Sequence, residues 1–183
     1  MRNKGTIGGN IAHADPASDL PAVLLALGTE IELEGAGGTR RVSASDFFVG
    51  LLASDVRAGE LLTRIDVPVA GPGTGTAYLK VEHPASGYAI CGAAAVVTME
   101  GGSCTAASLA FNGVAATPVA ADAVAAALVG TEVDNAAIGS AVDGNLSITD
   151  PLGDIHASGE YRVQLARTYG KRALQVARDR ASG

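Results

Sequence analysis

Residues 70–76, Ala70-Gly71-Pro72-Gly73-Thr74-Gly75-Thr76, hold no apolar side chain larger than that of alanine and include four helix or strand breakers. Such a stretch adds nothing to a packed core. It divides the chain into residues 1–70 and residues 77–183, joined by a linker at 71–76. Each unit must then bury a hydrophobic face of its own, and 48% hydrophobic residues is enough material for that, which excludes a disordered chain. The formal charge is −6, and the one basic stretch is C-terminal. There Arg162, Arg167, Lys171, Arg172, Arg178 and Arg180 face only Glu160 and Asp179. A solvated helix face accounts for them, and no nucleic-acid partner is expected, because phosphate binding needs clustered cations. Cys91 and Cys104 have neither CxxC nor Cys/His spacing, so no metal or cluster ligand set is present, and they read as reduced, partly buried thiols. No stretch approaches the roughly 20 apolar residues of a membrane helix, so no integral membrane segment is expected and the location reads as cytoplasmic.

Residues 5–16 are Gly-rich and read as irregular. Asp19–Gly28 then reads as a short helix: Ser18 or Asp19 at the cap, Pro21 in the first turn and Gly28 at the left-handed stop. Ile31 and Leu33 alternate with Glu30, Glu32 and Glu34, and Gly35-Ala36-Gly37-Gly38 returns the chain into Arg40-Arg41-Val42 as a hairpin. A further strand runs from about Leu61 to Val67. Beyond the linker, Ala77–Val81, Ile90–Met99 and Ser103–Phe111 read as three antiparallel strands, the last two joined tightly through Glu100-Gly101-Gly102. Pro118 opens a helical stretch over Val119–Leu128, a second helix follows Asp134, and a long one starts near Ser158. In the last, Tyr161, Leu165, Tyr169, Arg172 and Val176 recur at spacings of three and four, which marks one docking face. Strands followed by helices make the second unit an α+β layer, not a wound parallel sheet.

Chemistry concentrates at Thr6-Ile7-Gly8-Gly9-Asn10. Adjacent glycines let a backbone turn tightly against a ligand and leave N–H groups free for anionic oxygens, while the Thr hydroxyl and the Asn amide add hydrogen bonds. Gly-Gly pairs also make ordinary turns, and the segment matches neither GxGxxG nor a Walker loop. Its setting is more specific. Arg2-Asn3-Lys4-Gly5 precedes it, and Asn10-Ile11-Ala12-His13-Ala14-Asp15-Pro16-Ala17-Ser18-Asp19-Leu20-Pro21 follows. Together these resemble the flavoprotein (medium) subunit of the molybdenum hydroxylases, the family of carbon monoxide and xanthine dehydrogenases. The resemblance continues through Gly59-Glu60-Leu61-Leu62, Ala77-Tyr78-Leu79-Lys80, Gly87-Tyr88-Ala89, Thr117-Pro118 and Ser158-Gly159-Glu160-Tyr161-Arg162.

The resemblance implies an α+β chain: the second subdomain of a PCMH-type FAD-binding domain over 1–70, then a small three-stranded antiparallel sheet with helices over 77–183. It implies that Thr6, Ile7, Gly8, Gly9 and Asn10 form one of two loops clamping FAD, that Asp19, with Ser18 beside it, hydrogen-bonds the cofactor, and that Lys80 and Tyr88 approach the flavin. Leu62 corresponds to an apolar residue packing on the ring. Plainer readings stand beside these: Asp19 as a helix cap, Lys80 as an edge-strand lysine, Tyr88 as a core aromatic with a wet hydroxyl. No catalytic side chain is implied, and His13 is left out because flavin electron transfer needs no base there. Glu82-His83-Pro84 replaces the basic run common in the family.

The implied function is that of an FAD-binding electron-transfer subunit. A large subunit would hold the molybdopterin and a small one the [2Fe-2S] clusters, and FAD would pass electrons to an external acceptor. The alternative is a non-catalytic assembly module with an incomplete flavin site. The family's other Gly-rich loop belongs to a first subdomain for which no segment before Thr6 is available, so Met1 is expected to mark a start inside a longer reading frame.

Overall fold

The computed structural model describes residues 4–182; Met1, Arg2 and Asn3, and with them the start expected at Met1 and the first two motif residues, lie outside. The first unit opens with helix α1 (Ile7–His13), where an irregular segment was expected. Thr6 caps it by accepting the Gly9 N–H at 3.0 Å, so the glycine pair forms the first helical turn and not a tight turn. Helix α2 (Leu20–Ala26) has Pro21 in its first turn and ends at Gly28, whose φ of +63° is the expected left-handed stop. Strands β1 (Glu30–Gly35) and β2 (Gly38–Ser43) form the expected hairpin. Next come the short helix α3 (Ala44–Phe47) and the two-stranded ribbon β3 (Phe48–Gly50) and β4 (Ala53–Ser54), none of which was foreseen. Strand β5 (Leu61–Asp66) completes a sheet of order β2-β1-β5. Its core is Ile11, Leu24, Ile31, Leu33, Phe47 and Phe48.

The second unit is a long antiparallel meander: β6 (Thr74–Glu82), β7 (Ala89–Glu100) and β8 (Ser103–Asn112). Thr74–Thr76, read as linker, form the start of β6. A two-residue turn at Gly101-Gly102, with φ of +58° and +84°, joins β7 to β8. The sheet has a fourth strand, β9 (Val119–Ala120), pairing with Ala110 and Phe111, so the helix expected from Val119 begins later, as α4 (Asp122–Leu128). Helix α5 (Asn135–Asn145) is capped by Asp134, and α6 (Gly159–Ala181) by Ser158.

One face of the sheet packs on α4, α5 and α6 through Cys91, Ala93, Val97, Leu109 and Phe111. The buried stripe of α6 is Arg162, Leu165, Ala166, Gly170, Ala173, Leu174 and Ala177; it shares Leu165 with the expected face, Tyr169 and Val176 pack at its edge, and Tyr161 is 53% exposed. Small residues set the fit: a Cβ on Gly170 would lie 2.9 Å from the Phe111 ring, and one on Gly75 would lie against the Ala177 carbonyl. The basic tail is largely tied down. Arg167 donates to carbonyls at the end of α5, Arg178 to Val133 and Arg180 to Thr76, while Arg162 is buried outright. Both cysteines are free and buried, and burial pushes the Cys91 thiol up to about 12.

The opposite face of the sheet receives α2. Ala22 and Ala26 meet Ala94 and Ala110, so helix and sheet approach closely across the junction between the two units.

Candidate functional site

The close contact of α2 with the sheet brings the helix's first turn over the ends of β6 and β7. Tyr78 and Lys80, two residues apart on β6, share the face that α2 covers, where Lys80 pairs with Gly92 and Gly92 with Asn112. Asp19, at the start of α2, reaches both side chains. Its Oδ1 accepts from the Tyr78 hydroxyl at 2.8 Å, and the Lys80 Nζ lies 2.9 Å from Oδ2 and 3.2 Å from Oδ1. The ammonium also donates to the Gly87 carbonyl at 2.7 Å. The Tyr78 phenol is pushed far above its ordinary range by burial and then by the adjoining Asp19 charge, so it stays a donor.

Around this pair lies a cleft of two lobes, about 390 and 410 Å³, which share Asn10, Leu20 and Tyr88. One lobe is lined by Thr6 and Ile7 at the N-terminus of α1, the other by Ser18, Asp19, Lys80 and Gly87. Ser18 is buried and donates to the Asn10 Oδ1 at 2.7 Å, which leaves the amide NH₂ of Asn10 as a pair of donors. Tyr88 stands at the end of the β6–β7 connection, held there because its carbonyl accepts the His83 N–H at 2.7 Å. The start of α1, the Asn10 amide, the Thr6 hydroxyl, the Asp19 carboxylate and the Lys80 ammonium thus line one cleft beside the Tyr88 ring. That set suits a flat, polar ligand carrying anionic oxygens.

Of the ten positions expected to bind the cofactor, the structure brings Thr6, Ile7, Asn10, Ser18, Asp19, Lys80 and Tyr88 to the cleft. Gly8 and Gly9 lie in the adjoining helical turn. Leu62 stands apart on β5 among the hydrophobic residues of the first unit and reaches the site only through Gly8, where its Cδ2 would lie 3.5 Å from an added Cβ. Asp19 stands at the N-cap position of α2, as the plainer reading has it, but its side chain makes no capping hydrogen bond. Reading the sequence missed Tyr78, Asn112 and Gly92 as participants. The signal available for Tyr78 was its two-residue spacing from Lys80 on a strand; Gly92 and Asn112 carried none.

A further cavity of about 470 Å³ shares Tyr88 with the cleft and is lined by His83, His156, Asp154 and Arg162. The two imidazoles pack edge to face with centroids 4.4 Å apart. Among the described residues no group of three or more His, Cys, Asp or Glu is placed to hold a metal ion, and no helix is long and apolar enough to cross a membrane.

Residues 1–70 match the FAD binding domain in molybdopterin dehydrogenase, and residues 76–177 match the CO dehydrogenase flavoprotein C-terminal domain. The carbon monoxide dehydrogenase medium chain of Afipia carboxidovorans is 41% identical over 99% of this chain and 63% of its own length. The glyceraldehyde dehydrogenase medium chain of Sulfolobus acidocaldarius is 37% identical over 96% of this chain and 62% of its own. Among solved structures, reconstituted CO dehydrogenase from Oligotropha carboxidovorans superposes with a TM-score of 0.92 at 41% identity, over 98% of this chain and 63% of that one. Quinoline 2-oxidoreductase from Pseudomonas putida 86 does so with a TM-score of 0.90 at 32% identity, over 100% and 63%. The chain therefore spans a little under two thirds of the length of these relatives. Both matched segments contribute to one cleft, Asp19 from the first and Lys80 from the second, and this protein belongs to the family of FAD-binding medium subunits of the molybdenum hydroxylases.

Proposed function

We propose that this chain contributes Thr6–Asn10, Ser18, Asp19, Lys80 and Tyr88 to an FAD site, and acts in an electron-transfer subunit of a molybdopterin-dependent dehydrogenase. One observation carries the reading: residues from α1, the start of α2, β6 and the β6–β7 connection, far apart in sequence, line the same cleft. The donor set fits the cofactor. The N–H groups of Ile7 and Gly8, in the first turn of α1, have no acceptor within the helix and are the donors proposed for anionic oxygens. Asn10, oriented by Ser18, donates from its amide. Lys80 supplies an ammonium whose charge is balanced by Asp19, and Tyr88 offers a flat face for a ring to pack on. Leu62 would act through Gly8 and the seat of α1.

Bound flavin supplies a two-electron centre, and the chain's own residues bind it, orient it and bias its charge without acting as nucleophile or base. Electrons would come from an iron–sulfur small subunit, fed by a molybdopterin large subunit, and leave for an external acceptor. The test is to purify the chain alone and in complex with those two subunits, and to look for the visible flavin absorption band and for FAD released on denaturation. FAD in either preparation is expected, with Lys80→Met lowering its affinity by about tenfold, the size of one charge-assisted hydrogen bond. A complex that assembles without flavin would overturn the reading and leave an assembly module in its place.

A further inference from the structure

Asp19 occupies the N-cap position of α2 yet has helical angles, φ −68° and ψ −38°, and its side chain caps nothing. A carboxylate so placed ordinarily turns back onto the free N–H groups of the helix it starts. Here it is drawn across to the sheet. Tyr78 donates to it, and Tyr78 is itself backed by Asn112, which is 1% exposed and has its Oδ1 3.2 Å from the phenol oxygen. A single phenol proton cannot serve two acceptors. With the amide of Asn112 turned end for end, its Nδ2, otherwise buried without a partner, donates to the phenol, and the phenol's own proton goes to Asp19. The space for this is left by Gly92. A Cβ there would clash with the Tyr78 hydroxyl and the Asn112 Oδ1.

We propose that Tyr78, backed by Asn112 in the space Gly92 leaves, is a positioning residue for the cofactor site. Its hydroxyl selects the conformation in which Asp19 clamps Lys80 over the one in which Asp19 caps α2. Without that hydroxyl the carboxylate has a competing donor in the Ala22 N–H of the first turn, Pro21 having none, and turning to it frees the Lys80 ammonium from all but the Gly87 carbonyl. The carboxylate therefore has two seats, and Tyr78 decides between them. This rests on the flavin reading of the cleft for its functional consequence, but not for its geometry.

The test uses Tyr78→Phe, which keeps the ring, and Asp19→Ser, which can still cap α2 but cannot clamp Lys80. Acylation of lysines by a water-soluble activated ester is followed peptide by peptide, with Lys171 as the internal reference, alongside the FAD dissociation constant of the subunit in its complex. Tyr78→Phe is expected to raise Lys80 acylation several-fold towards the Asp19→Ser rate and to weaken FAD about tenfold, one charge-assisted hydrogen bond. The double variant is expected to do no more than Asp19→Ser alone, because both act on the same clamp. Wild-type Lys80 reactivity in Tyr78→Phe, or effects of the two changes that simply multiply, would overturn the proposal. Should Tyr78→Phe fail to fold, Asn112→Ala is expected to move Lys80 reactivity in the same direction, and an unchanged rate there overturns it equally. If the wild-type complex holds no FAD, the flavin reading falls while the acylation result still decides the positioning role.

Discussion

Replacing Arg162 by Met should cost about 3 kcal/mol, and the reason lies in a strand irregularity. The β6–β7 register slips between Val81, paired with Cys91, and Glu82, paired with Ala89, so Ile90 is the extra residue with no partner on β6. Its part-buried carbonyl, and the buried one of Gly113 just past the end of β8, would lack donors within the protein. Arg162 supplies both: Nη1 lies 2.5 Å from the Ile90 oxygen and 2.6 Å from the Gly113 oxygen, while Nη2 meets Asp154 at 2.6 Å. A methionine of similar length fills the space but donates nothing. Two unsatisfied carbonyls at about 1–3 kcal/mol each set the loss, and relief of the guanidinium's own desolvation and of its orphaned Nε offsets part of it. For a domain of this size the Tm should fall by about 6–12 °C. The control is Asp154→Asn. That carboxylate's side chain is 47% exposed, so losing the ion pair while keeping both carbonyl bonds should cost less than about 1 kcal/mol. Urea midpoints for the two variants decide the matter. Equal losses, or a loss below about 1 kcal/mol for Arg162→Met, would show that the carbonyls find other donors and that the assigned role is wrong.

The Glu60 carboxyl is held down at about 2, first by its hydrogen bond from Arg40 and then by the Arg57 N–H; a depressed folded value stabilises above the unfolded one and loses that contribution as pH falls from about 4.5 towards 2. Urea midpoints should therefore be steady around neutral pH and decline through that window, less steeply in Glu60→Gln, and an identical decline in the variant would refute the assignment. Gly75→Ala should be severely destabilising, by about 3 kcal/mol or more, because the added Cβ meets backbone of α6 at Ala177 and Ala181 that cannot swing aside; a Tm within a few degrees of wild type would show that α6 sits further off the sheet.

The parts of the fold that were readable ahead of the structure are those where local chemistry acts alone. The alternation of Ile31 and Leu33 with glutamates, Gly28 closing α2, the Gly101-Gly102 turn, and the helix starts after Asp134 and near Ser158 each depend on a few neighbouring residues. Misreadings arise where a distant partner decides. Larger side chains mark Leu165, Tyr169 and Val176 at one edge of the docking face of α6, but close approach to a flat sheet centres it on Ala166, Gly170, Ala173 and Ala177, which carry no signal of bulk. From sequence Arg162 reads as part of a solvated basic face, because nothing local announces that a bulge 72 residues away lacks a donor. The glycines at 8 and 9 suggested a turn, and Thr6 capping onto Gly9 makes them helical instead.

The site divides along the same line. Which residue types gather there was legible from the motifs, but how they are connected was not, since the connection crosses a boundary that composition marks as a break. Ala70–Thr76 separates the two units along the chain, yet Ala22 and Ala26 against Ala94 and Ala110 let α2 lie so close to the sheet that a side chain as short as aspartate spans the gap to Tyr78 and Lys80. A leucine at any of those four alanines would lift the helix and break the Asp19 contacts before touching a cleft residue. The small residues between the units thus hold the same geometry as the polar ones, and cofactor affinity should respond to substitutions on that alanine face as it does to changes at Asp19.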